Sequence, residues 1–254
     1  MSLLNEETRR KLRELNLGEM IDAIEQQSQD VGYSQLSFED RMKLAVDYLY
    51  QKKYNSKVQR LIKQSKFRIT NANYRDIYYL NRGLDQQKLL SLSTCQFIDS
   101  SSSVIFYGFA GSGKSYLACA LGNQACMQGI RTRYIRTPDL LLMRDEATLT
   151  KQGVSKLLKK LSSYKVLILD EWLMDDFNEE EQHFILELIE RRHDNTSTIF
   201  CTQYRKDDWH VRLGGGVHAD AIMDRIVHNA SWVYSGDINM REYYAKLNQL
   251  NLYD

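Results

Sequence analysis

Val104-Ile105-Phe106-Tyr107-Gly108-Phe109-Ala110-Gly111-Ser112-Gly113-Lys114-Ser115 decides the fold, because a short apolar run passes into a glycine-rich turn that ends in Lys-Ser. From Gly108 onward the stretch matches G-x-x-x-x-G-K-[ST] with nothing relaxed. A helical segment follows from Lys114 to Gln128, with Gly129 as its stop. A strand that delivers such a turn to a helix builds an anion site. The glycines let the backbone curl until its N–H groups converge at the positive end of the helix dipole. The pattern predicts Lys114 on the β- and γ-phosphates of ATP and the Ser115 hydroxyl on Mg²⁺. Gly108, Gly111, Ser112, Gly113, Lys114, Ser115 and Tyr116 form the expected nucleotide-binding set.

Further along, Val166-Leu-Ile-Leu169 is an apolar strand of the kind buried on both faces, and it ends in Asp170 and Glu171. Strand alternation is expected to send the two carboxylates to different sides. Asp170 is then placed to hold Mg²⁺ through water, and Glu171 to orient and deprotonate the water that attacks the γ-phosphate. A phosphate-loop kinase has no use for a water-activating glutamate, so the pair favours hydrolysis. Thr198-Ile-Phe-Cys-Thr-Gln203 is another apolar strand with a polar end. Gln203, or Thr202, is expected between the two motifs, within reach of the γ-phosphate or the water. Arg225 and Arg241 are candidate charge stabilisers in the transition state, a role that a neighbouring molecule can fill.

Around these motifs strands and helices alternate. Arg131–Arg136 reads as a strand, a helix opens at Pro138 and Asp139, and Val154–Leu161 and Glu179–Arg192 are further helices. Ala219–Asn229 is helical and Trp232–Tyr234 a fifth strand. The expected fold class is therefore α/β, a parallel P-loop NTPase sheet flanked by helices. Residues 1–66 read differently, as helix almost throughout. Leu12, Leu15, Leu17, Met20 and Ile21 form one stripe that stops near Gly32, and a second helix starts at Ser37 with Glu39 and Asp40. The expected domains are a small all-helical one at 1–70 and the ATPase at 71–254.

The 254 residues carry a net charge of only +1, with 43% hydrophobic and 26% charged residues, an ordinary globular composition. The average hides a run from Lys52 to Arg75 with eight positive residues and no acid. Lys53, Lys57, Arg60 and Lys63 fall three or four apart on one side of a helix, and Lys66 and Arg68 continue the run. Such a run suits contact with nucleic-acid phosphates, and no base-reading toolkit accompanies it. The four cysteines form no CxxC pair, as expected of reduced core thiols. No apolar leader or stretch long enough to span a membrane is present, so a cytoplasmic location is expected.

The residues resemble the transposition helper ATPases of the IstB type, relatives of the DnaC helicase loader within the AAA+ class. The carriers are the loop continuing as Ser115-Tyr-Leu-Ala-Cys-Ala-Leu-Gly122, Val166–Glu171, Ser197–Gln203 followed by Trp209, and Ala219–Ala230. Leu15–Met20, Ser37–Arg41 and Ala72–Leu84 extend the likeness over nearly the whole chain. The resemblance implies an amino-terminal DNA-binding region and an AAA+ core that assembles with ATP as a homo-oligomer on duplex DNA, recruiting or activating a cognate transposase. It further implies Gln203 as first sensor, Arg225 as a finger acting in trans and Arg241 as second sensor. Phe109-Ala110 stands where the family more often has Pro-Thr, and Arg205–His218, with glycines at 214–216, replaces a more proline-containing loop. With little chain beyond Arg241, neither a large helical lid nor a helix-turn-helix domain is expected. A helicase loader would share every nucleotide residue, a small-molecule kinase would need no trans arginine, and a nucleotide-switched scaffold would turn over slowly.

Overall fold

The computed structural model describes residues 4–250 and divides the chain into two compact units, Met1–Arg60 and Leu61–Asp254. In the first, helix α1 (Glu6–Glu14) starts where the Asn5 side chain accepts the Thr8 N–H at 2.8 Å, and its acids and bases sit at the ends the helix dipole favours. The expected single stripe is broken at Asn16, whose φ of 57° ends α1 before α2 (Gly18–Gln29) begins. Ile21 and Ala23 are buried, but Leu15 is left 67% exposed by that turn and is not a core residue. A 3₁₀ turn at Val31–Gln35 leads to α3 (Phe38–Ser65). The Ser37 hydroxyl caps α3 by accepting the Asp40 N–H at 3.1 Å.

In the second unit α4 (Gln86–Ser93) and the short α5 (Gln96–Asp99) precede β1 (Ser103–Tyr107). The chain continues through α6 (Lys114–Met127), β2 (Thr132–Arg136), α7 (Thr137–Thr148), α8 (Gly153–Ser162), β3 (Val166–Trp172) and α9 (Glu179–Arg192). It ends with β4 (Ser197–Thr202), α10 (Lys206–Arg212), α11 (Gly216–Val227), β5 (Ala230–Tyr234) and α12 (Met240–Leu250). All strand pairs are parallel, in the order β2-β3-β4-β1-β5.

Alternation along each strand divides the core. Val104, Phe106, Val166, Ile168, Ile199 and Cys201 join one cluster with α4, α5 and α6. Ile105, Leu167, Leu169 and Phe200 join the other, with residues of α7 to α11. Each apolar run is covered on both faces, which is why the central strands read as unbroken hydrophobic stretches. Leu61, Ile62, Phe67 and Ala72 also belong to the first cluster, so the unit begins before the expected boundary after residue 70. Helix α10 lies in the Arg205–His218 stretch and buries Trp209 against Trp172, Phe200 and Trp232.

The strand order fixes the place of the chemistry. Strand β4 lies between β1 and β3, so the carboxyl ends of the three strands lie side by side. In an open parallel sheet that edge is where ligands bind.

Candidate functional site

A cavity of 460 Å³ opens at that edge, lined among others by Gly111, Gly113, Lys114, Ser115, Asp170, Glu171, Gln203 and Arg241. Its size lies within the range of small-ligand sites. Gly111 (φ 87°) and Gly113 (φ 93°) hold the left-handed backbone that curls the loop. A side chain would also collide there. A Cβ on Gly111 would fall 2.3 Å from Asn239 Oδ1, and one on Gly113 2.5 Å from Arg82 Nη2. The Met240 N–H at the start of α12 donates to the Gly111 carbonyl at 2.9 Å. Lys114 Nζ donates to the carbonyls of Gly108 and Phe109 at 2.8 and 2.7 Å, and burial lowers its pKa.

The rest of the expected nucleotide set divides by what each side chain touches. Ser115 lines the cavity. Tyr116 lines it too, while its hydroxyl donates to the Asn73 carbonyl and accepts the Asn73 N–H, both at 3.2 Å. The Ser112 hydroxyl is fully buried against Ser235 Oγ at 2.5 Å, which leaves its backbone rather than its side chain to meet a ligand.

Asp170 is 2% exposed. One carboxylate oxygen accepts the Tyr134 hydroxyl at 2.6 Å and the other the Glu171 N–H at 2.9 Å. Burial, reinforced by Asp170, pushes the Tyr134 phenol up, so it remains a donor to the carboxylate. Glu171 does not follow simple strand alternation. Its φ is 57° and the β3–β4 register shifts between Leu169 and Trp172, so a local irregularity aims the side chain. A left-handed glutamate costs on the order of 1 kcal/mol, and such strain clusters at functional sites. Arg136 Nε and Nη2 donate to one Glu171 oxygen at 3.0 and 2.7 Å, and Arg68 Nη1 approaches the other at 3.4 Å.

Thus Arg68 lines the cavity beside Glu171, whereas Lys53, Lys57, Arg60, Lys63 and Lys66 are exposed along α3 and just after it. Gln203 follows β4 on the cavity wall and donates to Met174 Sδ at 3.1 Å, while Thr202 is buried. Arg241 also lines the cavity. Arg225 does not. It pairs with Glu190 of α9, donates to the Ala221 carbonyl at 2.9 Å, and borders a 20 Å³ recess shared with Ser103 and Thr198 at the strands' amino ends.

Among the described residues no group of three or more His, Cys, Asp or Glu side chains gathers as a metal cage. The Ser115 hydroxyl and the Asp170 carboxylate are hard oxygen donors of two residues that line the cavity. That donor set fits Mg²⁺, whose coordination is ordinarily completed by phosphate oxygens and water.

The model of the family described as IstB-like ATP binding protein matches residues 10–247. The chain belongs to the IstB-like ATP-binding protein family. One relative of this IstB-like chain, from Sinorhizobium fredii (strain NBRC 101917 / NGR234) and named as an insertion sequence ATP-binding protein, y4pL, is 32% identical over 224 residues, covering 87% of this chain and 89% of its own. Another, named as the ATP-binding protein of insertion sequence IS1162 of Pseudomonas fluorescens, is 33% identical over 205 residues, covering 79% and 87%. The crystal structure of the DnaC helicase loader superposes with a TM-score of 0.53 at 24% identity, covering 65% of this chain and 96% of that one. The fold of this IstB-like protein is the parallel P-loop sheet flanked by helices that the loop and the strand alternation predicted, and it is shared with that loader. Arg82 and Arg136 are the functional candidates that sequence reading missed. Arg136 carried a faint signal, a base ending the strand before Thr137-Pro138, and it pairs in register with Asp170. Arg82 carried none.

Proposed function

We propose that the protein is an ATP hydrolase that assembles as a homo-oligomer on duplex DNA and there engages the transposase of an insertion sequence. One observation carries the hydrolase reading. Glu171 has a left-handed backbone, pairs with Arg68 and Arg136, and lines the same cavity as Lys114, Ser115 and Asp170. Lys114 and the loop N–H groups bind and orient the phosphates, and Gln203 helps to position water. Glu171 accepts that water's proton. Mg²⁺, when bound through Ser115 and Asp170, supplies charge neutralisation on the phosphate oxygens. Arg241 approaches the phosphates from α12 of the same chain.

Arg225 acts in trans in this reading, which its place outside the cavity of its own chain supports. Its exchange from Glu190 to a neighbouring chain's nucleotide would link hydrolysis to assembly. The exposed bases of α3 support contact with the DNA backbone, tolerant of sequence. The names of the relatives, as insertion sequence ATP-binding proteins, support the transposition setting.

The test is light scattering of the Glu171→Gln protein with ATP–Mg²⁺, on a duplex of about 60 base pairs and on the matched single strand, at fixed salt. Large complexes that need both ATP and duplex are expected. Preference for single strands would move the reading to a helicase loader, and a monomer under every condition would sink the assembly.

A further inference from the structure

Arg82 lies in the segment before α4 and is 3% exposed. All three guanidinium nitrogens donate to backbone carbonyls from three parts of the chain. Nη2 reaches Ser112 O at 2.5 Å, Nε Ser235 O at 3.2 Å and Nη1 Tyr78 O at 3.2 Å. The Arg82 carbonyl in turn accepts the Asp237 N–H at 2.8 Å. Two glycines make room for it. A Cβ on Gly113 would fall 2.5 Å from Nη2, and one on Gly236 2.5 Å from Cγ. Burying a cation is costly unless hydrogen bonds or a counter-charge compensate it, and here three backbone carbonyls do so while burial still works against the charge.

We infer that Arg82 is the positioning residue that sets the phosphate loop in its anion-binding conformation. The Ser112 carbonyl and the Gly113 N–H belong to one trans peptide, so they point in opposite directions. Fixing the carbonyl on the guanidinium therefore turns the Gly113 N–H the other way, toward the inside of the loop. A charged donor on the carbonyl also polarises the peptide and strengthens its N–H as a donor. The Ser112 side chain is fixed from the same side through Ser235, whose hydroxyl donates to the Tyr107 carbonyl at 2.9 Å. Lysine cannot replace this bridge, since one ammonium does not span three carbonyls held by a planar fork.

The inference rests on the loop being the nucleotide site, and the experiment separates the two. ATP and inorganic tripolyphosphate are titrated calorimetrically into the native chain, Arg82→Lys and Arg192→Lys, below every variant's unfolding transition. Arg192 is the comparator. It is 1% exposed and likewise bonded to backbone carbonyls, those of Leu161, Tyr164 and Ser197, but it lies away from the cavity. Arg82→Lys is expected to weaken both ligands at least about tenfold, and Arg192→Lys to leave both within about twofold while still lowering Tm. An Arg82→Lys protein that is folded and binds both ligands like the native chain would overturn the inference, as would an equal loss in Arg192→Lys. If Arg82→Lys does not fold, Gly236→Ala, whose Cβ would meet the Arg82 carbonyl and Cγ at 2.5 Å and so shift the whole residue while keeping its charge, is expected to give the same selective loss, and unchanged affinity there would also overturn it. A native chain that binds neither ligand would instead overturn the nucleotide-site reading.

Discussion

In the nucleotide cavity the polar groups are held in place by protein partners, whereas along α3 the candidate DNA contacts project into solvent. Asp170 is fixed by Tyr134 and a backbone N–H, Glu171 by two arginines, and the phosphate loop by Arg82, Ser235 and α12. Lys53, Lys57 and Arg60 are exposed on a helix whose unit buries few apolar side chains, Ile21, Ala23, Ala45 and Val58 among the described residues. The first region holds its polar groups in a fixed geometry through protein partners. The second offers charge without fixed geometry, which suits a polyanion read by its backbone and makes binding sensitive to salt.

The sharpest way to break this comparison is Lys114→Ala. Loss of the half-buried ammonium should weaken ATP binding by roughly 100-fold, the scale of charge-assisted hydrogen bonds to phosphate. Nucleotide-free DNA affinity, measured by anisotropy, should not change. A comparable loss of DNA binding would mean that the two regions are not separate in function.

Reversing charge at Lys57, Arg60 and Lys63 should do the opposite. DNA affinity should fall at least about tenfold at moderate salt, and the slope of log K against log salt should flatten by about 3, one for each phosphate that is no longer neutralised. ATP affinity should stay at the native value. An unchanged slope would remove these residues from the interface.

The smallest expected effect lies under the cavity. Burial pushes the Cys119 thiol up to about 11, and all four cysteines lie beyond residue 60. A thiol whose folded pKa is raised ionises first in the unfolded chain. Its stabilising contribution is present below the ordinary thiol range and is lost as pH rises toward 11. From pH 8 to 10 that loss should be about 1 kcal/mol for Cys119. The Cys119→Ala variant should therefore show a flatter fall of Tm with pH than the native chain. Hydrogen exchange should place the alkaline loosening in residues 61–254 and not in the unit that has no thiol.

Much of the cavity was legible because its chemistry is local in the chain. The glycines, Lys114 and Ser115 lie within one turn and the start of one helix, and Asp170 and Glu171 end one apolar strand. Arg68 reads as part of the basic run because charge alone does not reveal direction, yet it faces Glu171. The Leu12–Ile21 stripe looked continuous because the left-handed turn at Asn16 leaves no mark on hydrophobic spacing.

By itself the sequence determined the phosphate loop, the parallel sheet and the acids beside it, since each follows from residue type at short range: glycine freedom, a helix amino end, strands buried on both faces. Only the tertiary structure decided that Arg136 and Arg68 hold Glu171, that Arg82 holds the loop and that Arg225 lies away from its own cavity. Those pairings join residues on different elements, from β2 to β3, from the segment before α4 to the loop after β1, and from α11 to α9. The strand order and the packing of each face bring them together, and no spacing along the chain records it.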